Sequence, residues 1–185
     1  MDGSGDSMGV VEKSLWFAMG APYRNELKVQ KQLDGFGIRS FIPMRHDVVE
    51  RRGRKSRVLV PVVSNLIFVN ATASLMKAVK PKIPRLQYKI TRTGEKNVII
   101  TVPDKDMEDF IAVTSAMADD VTYYAPEELS LAKGTRVRII GGPFDGAEGV
   151  LVKMKGPRSR RFVVSIPDII YATTEVTPDL IEVLE

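Results

Sequence analysis

The side chains best placed to do chemistry in this 185-residue chain are basic, and they fall into groups. Arg24, Lys28 and Lys31 recur at near-helical spacing, and Arg51, Arg52, Arg54, Lys55 and Arg57 crowd the stretch around Gly53. Cations grouped this way hold phosphate oxygens and release counterions from a polyanion, a grip that weakens with salt. No aromatic side chain is interleaved with them, so base stacking is not expected. Lys153, Lys155, Arg158, Arg160 and Arg161 surround a later turn and form a weaker candidate for RNA contact.

Catalytic groups are sparse. His46 is the single histidine, with no partner pattern around it, and the absence of cysteine removes thiolate zinc sites, disulfides and cysteine nucleophiles together. Asp104 and Asp106 read as acids at a helix start, and Asp119-Asp120 as linker residues rather than a metal cluster. Phosphate-loop, Gly-x-Ser-x-Gly and His-Glu-x-x-His patterns do not occur. A non-enzyme without metal or cofactor is expected.

The elements that must carry these cations follow from periodicity and turn signals. A strand at Leu15–Met19 precedes a helix opened by Pro22, with Tyr23, Leu27, Val29, Leu33 and Phe36 as its apolar stripe and Arg24, Lys28 and Lys31 on the opposite face. Arg51 to Arg57 is too charged for a core and reads as a hairpin tip, and Leu66–Val69 reads as a buried central strand. A short helix near Ser74–Val79, strands at 87–91 and 97–102, and a helix from Pro103 with Met107, Phe110, Ile111 and Thr114 on one face complete the first part. Helices over a mostly antiparallel sheet make an α+β sandwich of the split βαβ kind over residues 13–117. Residues 1–12 are expected to be a disordered tail without a secretory h-region, and residues 118–130 an exposed linker. From Leu131 onward five short strands separated by Gly and Pro turns are expected to close into a small barrel over 131–185. Val137, Ile139, Val150, Val152, Val163 and Val164 favour β structure there.

The bulk properties fit this reading. Apolar residues make up 44% and charged residues 27%, which are globular proportions. The net charge is +4 and the pI about 9.3, and the basic excess lies in the N-terminal half. Residues 15–70 hold ten Lys/Arg against four Asp/Glu, whereas 131–185 are nearly balanced. No apolar run is long enough to span a bilayer, so a membrane partner is not expected and a cytoplasmic location is.

Residues Lys133 to Leu151, with Gly141-Gly142-Pro143-Phe144-Asp145-Gly146 at their centre, resemble the KOW motif. Gly142 and Gly146 suit positive φ in that loop, and Gly149 suits a close backbone approach. The N-terminal half resembles the NusG family: Leu15-Trp16-Phe17-Ala18 before a basic helix, Ser64-Asn65-Leu66-Ile67-Phe68-Val69 where that family has Pro-Gly-Tyr-Val-Phe-Val, and Pro103-Asp104-Lys105-Asp106-Met107 at the start of its last helix. The resemblance is to the specialised RfaH and UpxY type found beside polysaccharide operons. It implies an N-terminal NGN domain followed by a five-stranded SH3-like KOW β-barrel, and a monomeric transcription elongation or antitermination factor. Its implied partners are the β′ clamp helices of RNA polymerase, gripped at the positions of Leu66 and Phe68, and the non-template DNA strand or nascent RNA, met by the two basic groups. Phe144 and Ile169 are the implied partner-binding positions of the KOW part, with the ribosome as a further candidate partner. Ser165-Ile166 is followed by Pro167-Asp168-Ile169, where many family members carry the Phe that docks Rho, so Rho binding is not carried over. The alternatives are a housekeeping NusG acting on all genes and a ribosome-associated RNA-binding KOW protein.

Overall fold

A computed structural model describes residues 12–116, 120–154 and 160–185. The expected tail up to residue 11, Asp119, and the turn cations Lys155 and Arg158 lie outside them.

The first sheet is antiparallel. Strand β1 (Leu15–Gly20) sits at its centre beside β5 (Ile67–Ala71), which in turn pairs with β2 (Arg39–Phe41). The other side of β1 is shared by β6 (Gln87–Tyr88) and β9 (Thr101–Val102). Between those two short strands the chain leaves the sheet as a hairpin, β7 (Ile90–Thr93) and β8 (Lys96–Ile99). A second and longer hairpin, β3 (Met44–Arg51) and β4 (Arg54–Pro61), forms a separate two-stranded ribbon.

Alternation along β1 and β5 divides the apolar residues between two faces. Phe17, Met19, Ile67, Val69 and Ala71 pack with Val29 and Leu33 of α1 (Glu26–Gly35) and with Met76 and Val79 of α2 (Ala73–Val79). Thr72 caps α2, its hydroxyl accepting from the Leu75 N–H at 3.1 Å. Trp16, Ala18, Leu66 and Phe68 belong to the other face, against Met107, Phe110 and Val113 of α3 (Asp104–Ala116).

The second sheet is antiparallel and six-stranded, in the order β10-β14-β13-β12-β11-β15. Its strands are β10 (Thr122–Tyr124), β11 (Thr135–Ile139), β12 (Glu148–Lys153), β13 (Arg160–Ile166), β14 (Ile170–Thr174) and β15 (Ile181–Val183). The expectation of a closed five-stranded barrel is therefore corrected: among the described residues no ladder joins β10 to β15. The sixth strand comes from the stretch expected to be an exposed linker. Thr122, Tyr123 and Tyr124 pair with Thr173, Ala172 and Tyr171, and Val121 is buried beside them. The acids and proline around this β-prone Thr-Tyr-Tyr run masked it.

Helix α3 packs on β1 and also on β12, β13, β14 and the 3-10 turn Gly142–Phe144. Val137, Ile139, Phe144, Phe162, Ile166 and Ile170 thus share one apolar cluster with Trp16, Phe68 and Phe110.

Candidate nucleic-acid interface and the covered apolar face

The β3–β4 ribbon is built by its turn. Arg52 and Gly53 both lie at positive φ, 53° and 73°, the combination a two-residue type I′ turn requires. Eight residues per strand at about 3.3 Å each carry the tip roughly 26 Å along the ribbon. Arg51, Arg52, Arg54, Lys55 and Arg57 are all exposed. The ladder sets Arg51 opposite Arg54, Glu50 opposite Lys55 and Val48 opposite Arg57, so cations appear on both faces with one acid among them. His46 is exposed in the same ribbon opposite Leu59.

The start of the first helix differs from expectation. Helix α1 begins at Glu26, and Tyr23 and Arg24 precede it in left-handed conformations, with φ of 62° and 55°. The Asn25 amide holds this turn, donating to the Pro22 carbonyl at 2.6 Å and to the Tyr23 carbonyl at 3.2 Å. Glu26 is buried and accepts the Asn65 N–H at 2.5 Å, which fastens the helix start to the loop ahead of β5. Val29 and Leu33 form the buried stripe, whereas Tyr23, Leu27 and Phe36 are exposed. Lys28 and Lys31 project into solvent from α1, while Arg24 lines a groove of about 510 Å³ together with Leu27, Asp47, Leu59 and Ser64. The structure thus brings Arg24 to the base of the ribbon and leaves it off the Lys28–Lys31 stripe.

Sequence reasoning missed a third basic stretch. Residues 74–94 hold Lys77, Lys80, Lys82, Arg85, Lys89 and Arg92 and no acid. The Lys80 ammonium lies 5.8 Å from the Tyr88 ring centroid and that of Lys82 lies 5.6 Å from Phe36. Reading this stretch for its prolines and strands hid its one-sided charge.

Leu66 and Phe68 share a face, as expected, and both are fully covered. The Phe68 ring lies 6.4 Å from Phe110 of α3, which also meets Phe41 at 6.4 Å. Beyond α3 sits the second sheet. Lys105 of α3 ties the two together, its ammonium lying 2.6 Å from the Asp109 carboxylate and 3.0 Å from the Gly146 carbonyl. Burial, reinforced by Asp109, pushes the Asp106 carboxyl up, whereas the hydrogen bond from Arg138 holds Glu148 below the usual carboxylate range. Phe144 is buried, and its turn faces α3. Gly142 and Gly146, at φ of 73° and 80°, shape that turn. A Cβ on Gly149 would run into the Val163 carbonyl oxygen and the Phe162 ring.

Ile169 is half-buried after Asp168, whose φ is 60°, and lines a groove of about 410 Å³ with Arg45, Val63, Tyr124 and Glu128. Lys153 and Arg160 face one another across β12 and β13 and are exposed, while Arg161 is partly covered and lies 3.3 Å from Glu175. No group of three or more His, Cys, Asp or Glu suited to a metal occurs among the described residues, and no helix among them is long and apolar enough to cross a membrane.

No curated protein matches the chain. A solved structure described as "Domain interaction in Thermotoga maritima NusG" aligns with 20% identity over 94% of this chain and 98% of that chain, at a TM-score of 0.44. The family model "Transcription termination factor nusG" matches residues 14–111, more than half of the sequence, from the strand that carries Trp16 through the helix that carries Phe110. The chain belongs to the NusG family of transcription elongation and termination factors.

Proposed function

We propose that this protein is a processivity or antitermination factor that binds RNA polymerase through the Leu66–Phe68 face and contacts nucleic acid through Arg24, Lys28, Lys31 and the β3–β4 tip. The observation that carries this is the second face of the first sheet. Trp16, Ala18, Leu66 and Phe68 present an apolar surface on which α3 and then the second sheet lie, a surface suited to a helical partner once uncovered. The closed arrangement fills it, so binding there requires α3, with the second sheet behind it, to move off Leu66 and Phe68. A polymerase that binds only the open form shifts the balance by its differential affinity. Held across the polymerase cleft, the factor would favour the elongating over the paused state, and a bias of about 1.4 kcal/mol changes their ratio tenfold.

The Gly141–Gly149 loop and the close approach at Gly149 support reading the second sheet as a KOW module. Leu66 in place of an aromatic, and Pro167-Asp168 in place of a Rho-docking Phe, favour an operon-specific role over a housekeeping one. Residues 13–117 and 131–185 are the proposed functional units, acting as a cytoplasmic monomer without enzymatic chemistry.

The test is transcription by purified cognate polymerase through a long leader with pause and terminator sites, with and without the protein. Phe68→Leu, which keeps the core apolar, is preferred to Phe68→Asp, which would bury a carboxylate among rings. More full-length transcript, reduced by Phe68→Leu at a temperature where the variant remains folded, is the expected result. No change on any template, together with no co-purification with polymerase, sinks the proposal; co-sedimentation with ribosomes instead would turn it to the RNA-binding alternative.

A further inference from the structure

Strand β10 is held in place by few contacts. It is three residues long, forms an outer edge of the second sheet, and has one ladder, to β14. Two hydroxyls at this seam are buried without a hydrogen bond that satisfies them. One belongs to Thr173 of β14, which stands opposite Thr122, and the other to Tyr123, which lies beside Thr114 of α3. A desolvated hydroxyl without a partner opposes the pairing that buries it, and water satisfies it once the strands part. The edge is therefore weak toward β14 and toward α3 alike.

The same strand sets how far the second sheet can travel. Val121 lies five residues beyond Ala116, the end of α3, and that stretch spans at most roughly 17 Å. While β10 stays on β14, the second sheet is tethered to α3 over that distance. Between β10 and β11 the described backbone hydrogen bonds are local, from the Glu128 N–H to the Ala125 carbonyl at 3.0 Å and from the Gly134 N–H to the Leu131 carbonyl at 2.9 Å. Releasing β10 thus moves the anchor point to Thr135, nineteen residues beyond Ala116 and roughly 65 Å away at full stretch. The effective concentration of a tethered surface falls about as the −3/2 power of tether length, so release lowers that of the second sheet at α3 about sevenfold.

We propose that β10 is a displaceable strap: the second sheet parts from α3 with β10 unzipped from β14, and the longer tether together with hydration of Thr173 and Tyr123 favours that open form. The strap goes beyond the polymerase reading and stands without it, because it names the element that sets closure within the free chain.

Amide exchange of the full chain, without polymerase, tests it. The chain has no cysteine, so one engineered pair is unambiguous. Thr122 and Thr173 are ladder partners, and opposite residues of an antiparallel pair lie about 4.5–5.5 Å apart at Cα, within the span of a disulfide. The readout is exchange at Gly146 and Ala147, which follow the turn packed on α3 and lie on neither stapled strand. Oxidising Thr122→Cys/Thr173→Cys is expected to slow that exchange between about two- and eightfold, and reduction to restore it. In the parent, β10 is expected to exchange with the urea dependence of Gly146 and Ala147 and ahead of β13. Thr173→Val, which removes one orphaned hydroxyl and keeps the side-chain shape, is expected to slow β10 and the Gly146 turn together. The strap is overturned if the formed disulfide leaves Gly146 and Ala147 unchanged, if β10 exchanges only with β13, or if Thr173→Val moves neither set. Should the disulfide not form, the parent profile and Thr173→Val decide alone. Exchange of Gly146 and Ala147 only on global unfolding would show that the sheet does not part from α3, and would also overturn it. Loss of polymerase binding in a separate assay touches none of these readouts.

Discussion

Replacing Lys105 by Met should loosen the contact between α3 and the second sheet by a calculable amount. Asp109 is only 9% exposed, and its cation is Lys105 at 2.6 Å, itself 52% exposed. Breaking a fully buried ion pair from one side costs about 3–5 kcal/mol, because the remaining charge is stranded. Here water reaches the ammonium, and the expected loss shrinks to about 1–2 kcal/mol. Met keeps the aliphatic stem, so the loss is electrostatic and not a matter of packing. A urea-unfolding cycle with Asp109→Asn isolates the pair. The double variant should recover about 1 kcal/mol relative to the sum of the single ones, since Asn no longer strands a charge. The second bond of Lys105, to the Gly146 carbonyl, crosses to the other sheet. Amide exchange at Gly146 and Ala147, whose N–H groups donate to Ile139 and Phe144, should therefore quicken more than exchange in β1. If closure competes with polymerase, affinity for polymerase should rise by no more than the same free energy, about five- to thirtyfold. Additivity within about 0.3 kcal/mol would refute the charge argument. Coupling without faster exchange at Gly146 and Ala147 would refute the claim that Lys105 fastens the sheet.

Three further outcomes follow from the geometry. Gly149→Ala should cost more than about 2 kcal/mol in denaturant unfolding, because its methyl meets the Val163 backbone and not a movable side-chain end. Arg52→Gly should stabilise the ribbon by up to about 1 kcal/mol, by relieving the left-handed arginine, while lowering the salt slope of nucleic-acid binding by about one; unchanged binding would remove Arg52 from the interface. The Tyr123 hydroxyl is buried beside Thr114 without a hydrogen bond that satisfies it, and burial pushes its pKa up to about 12. The unfolded chain then gives up this proton first, near pH 10, so stability should fall as pH rises from 10 to 12; Tyr123→Phe should flatten that fall and raise the midpoint at neutral pH.

What was legible in the sequence depended on whether a local rule and the tertiary structure asked for the same thing. Val29 and Leu33 obey helical spacing and are buried, and Gly142 and Gly146 turn where a chiral residue would be strained, so both were readable in advance. Tyr23 also fits the spacing, but Pro22 and Asn25 build a turn there, and periodicity does not record where a helix starts. Strand β10 was hidden for the opposite reason, since three β-prone residues between acids and a proline gain their ladder only from β14, some fifty residues away. The same limit governs Leu66 and Phe68. Their alternation identified a shared face, but alternation is identical for a core residue and a binding residue. The structure buries that face under α3, and its outer cover is a second sheet held in part by one half-exposed lysine. A face meant for exchange between an internal and an external partner needs one weak enough to release, and the Lys105 variant measures that weakness directly.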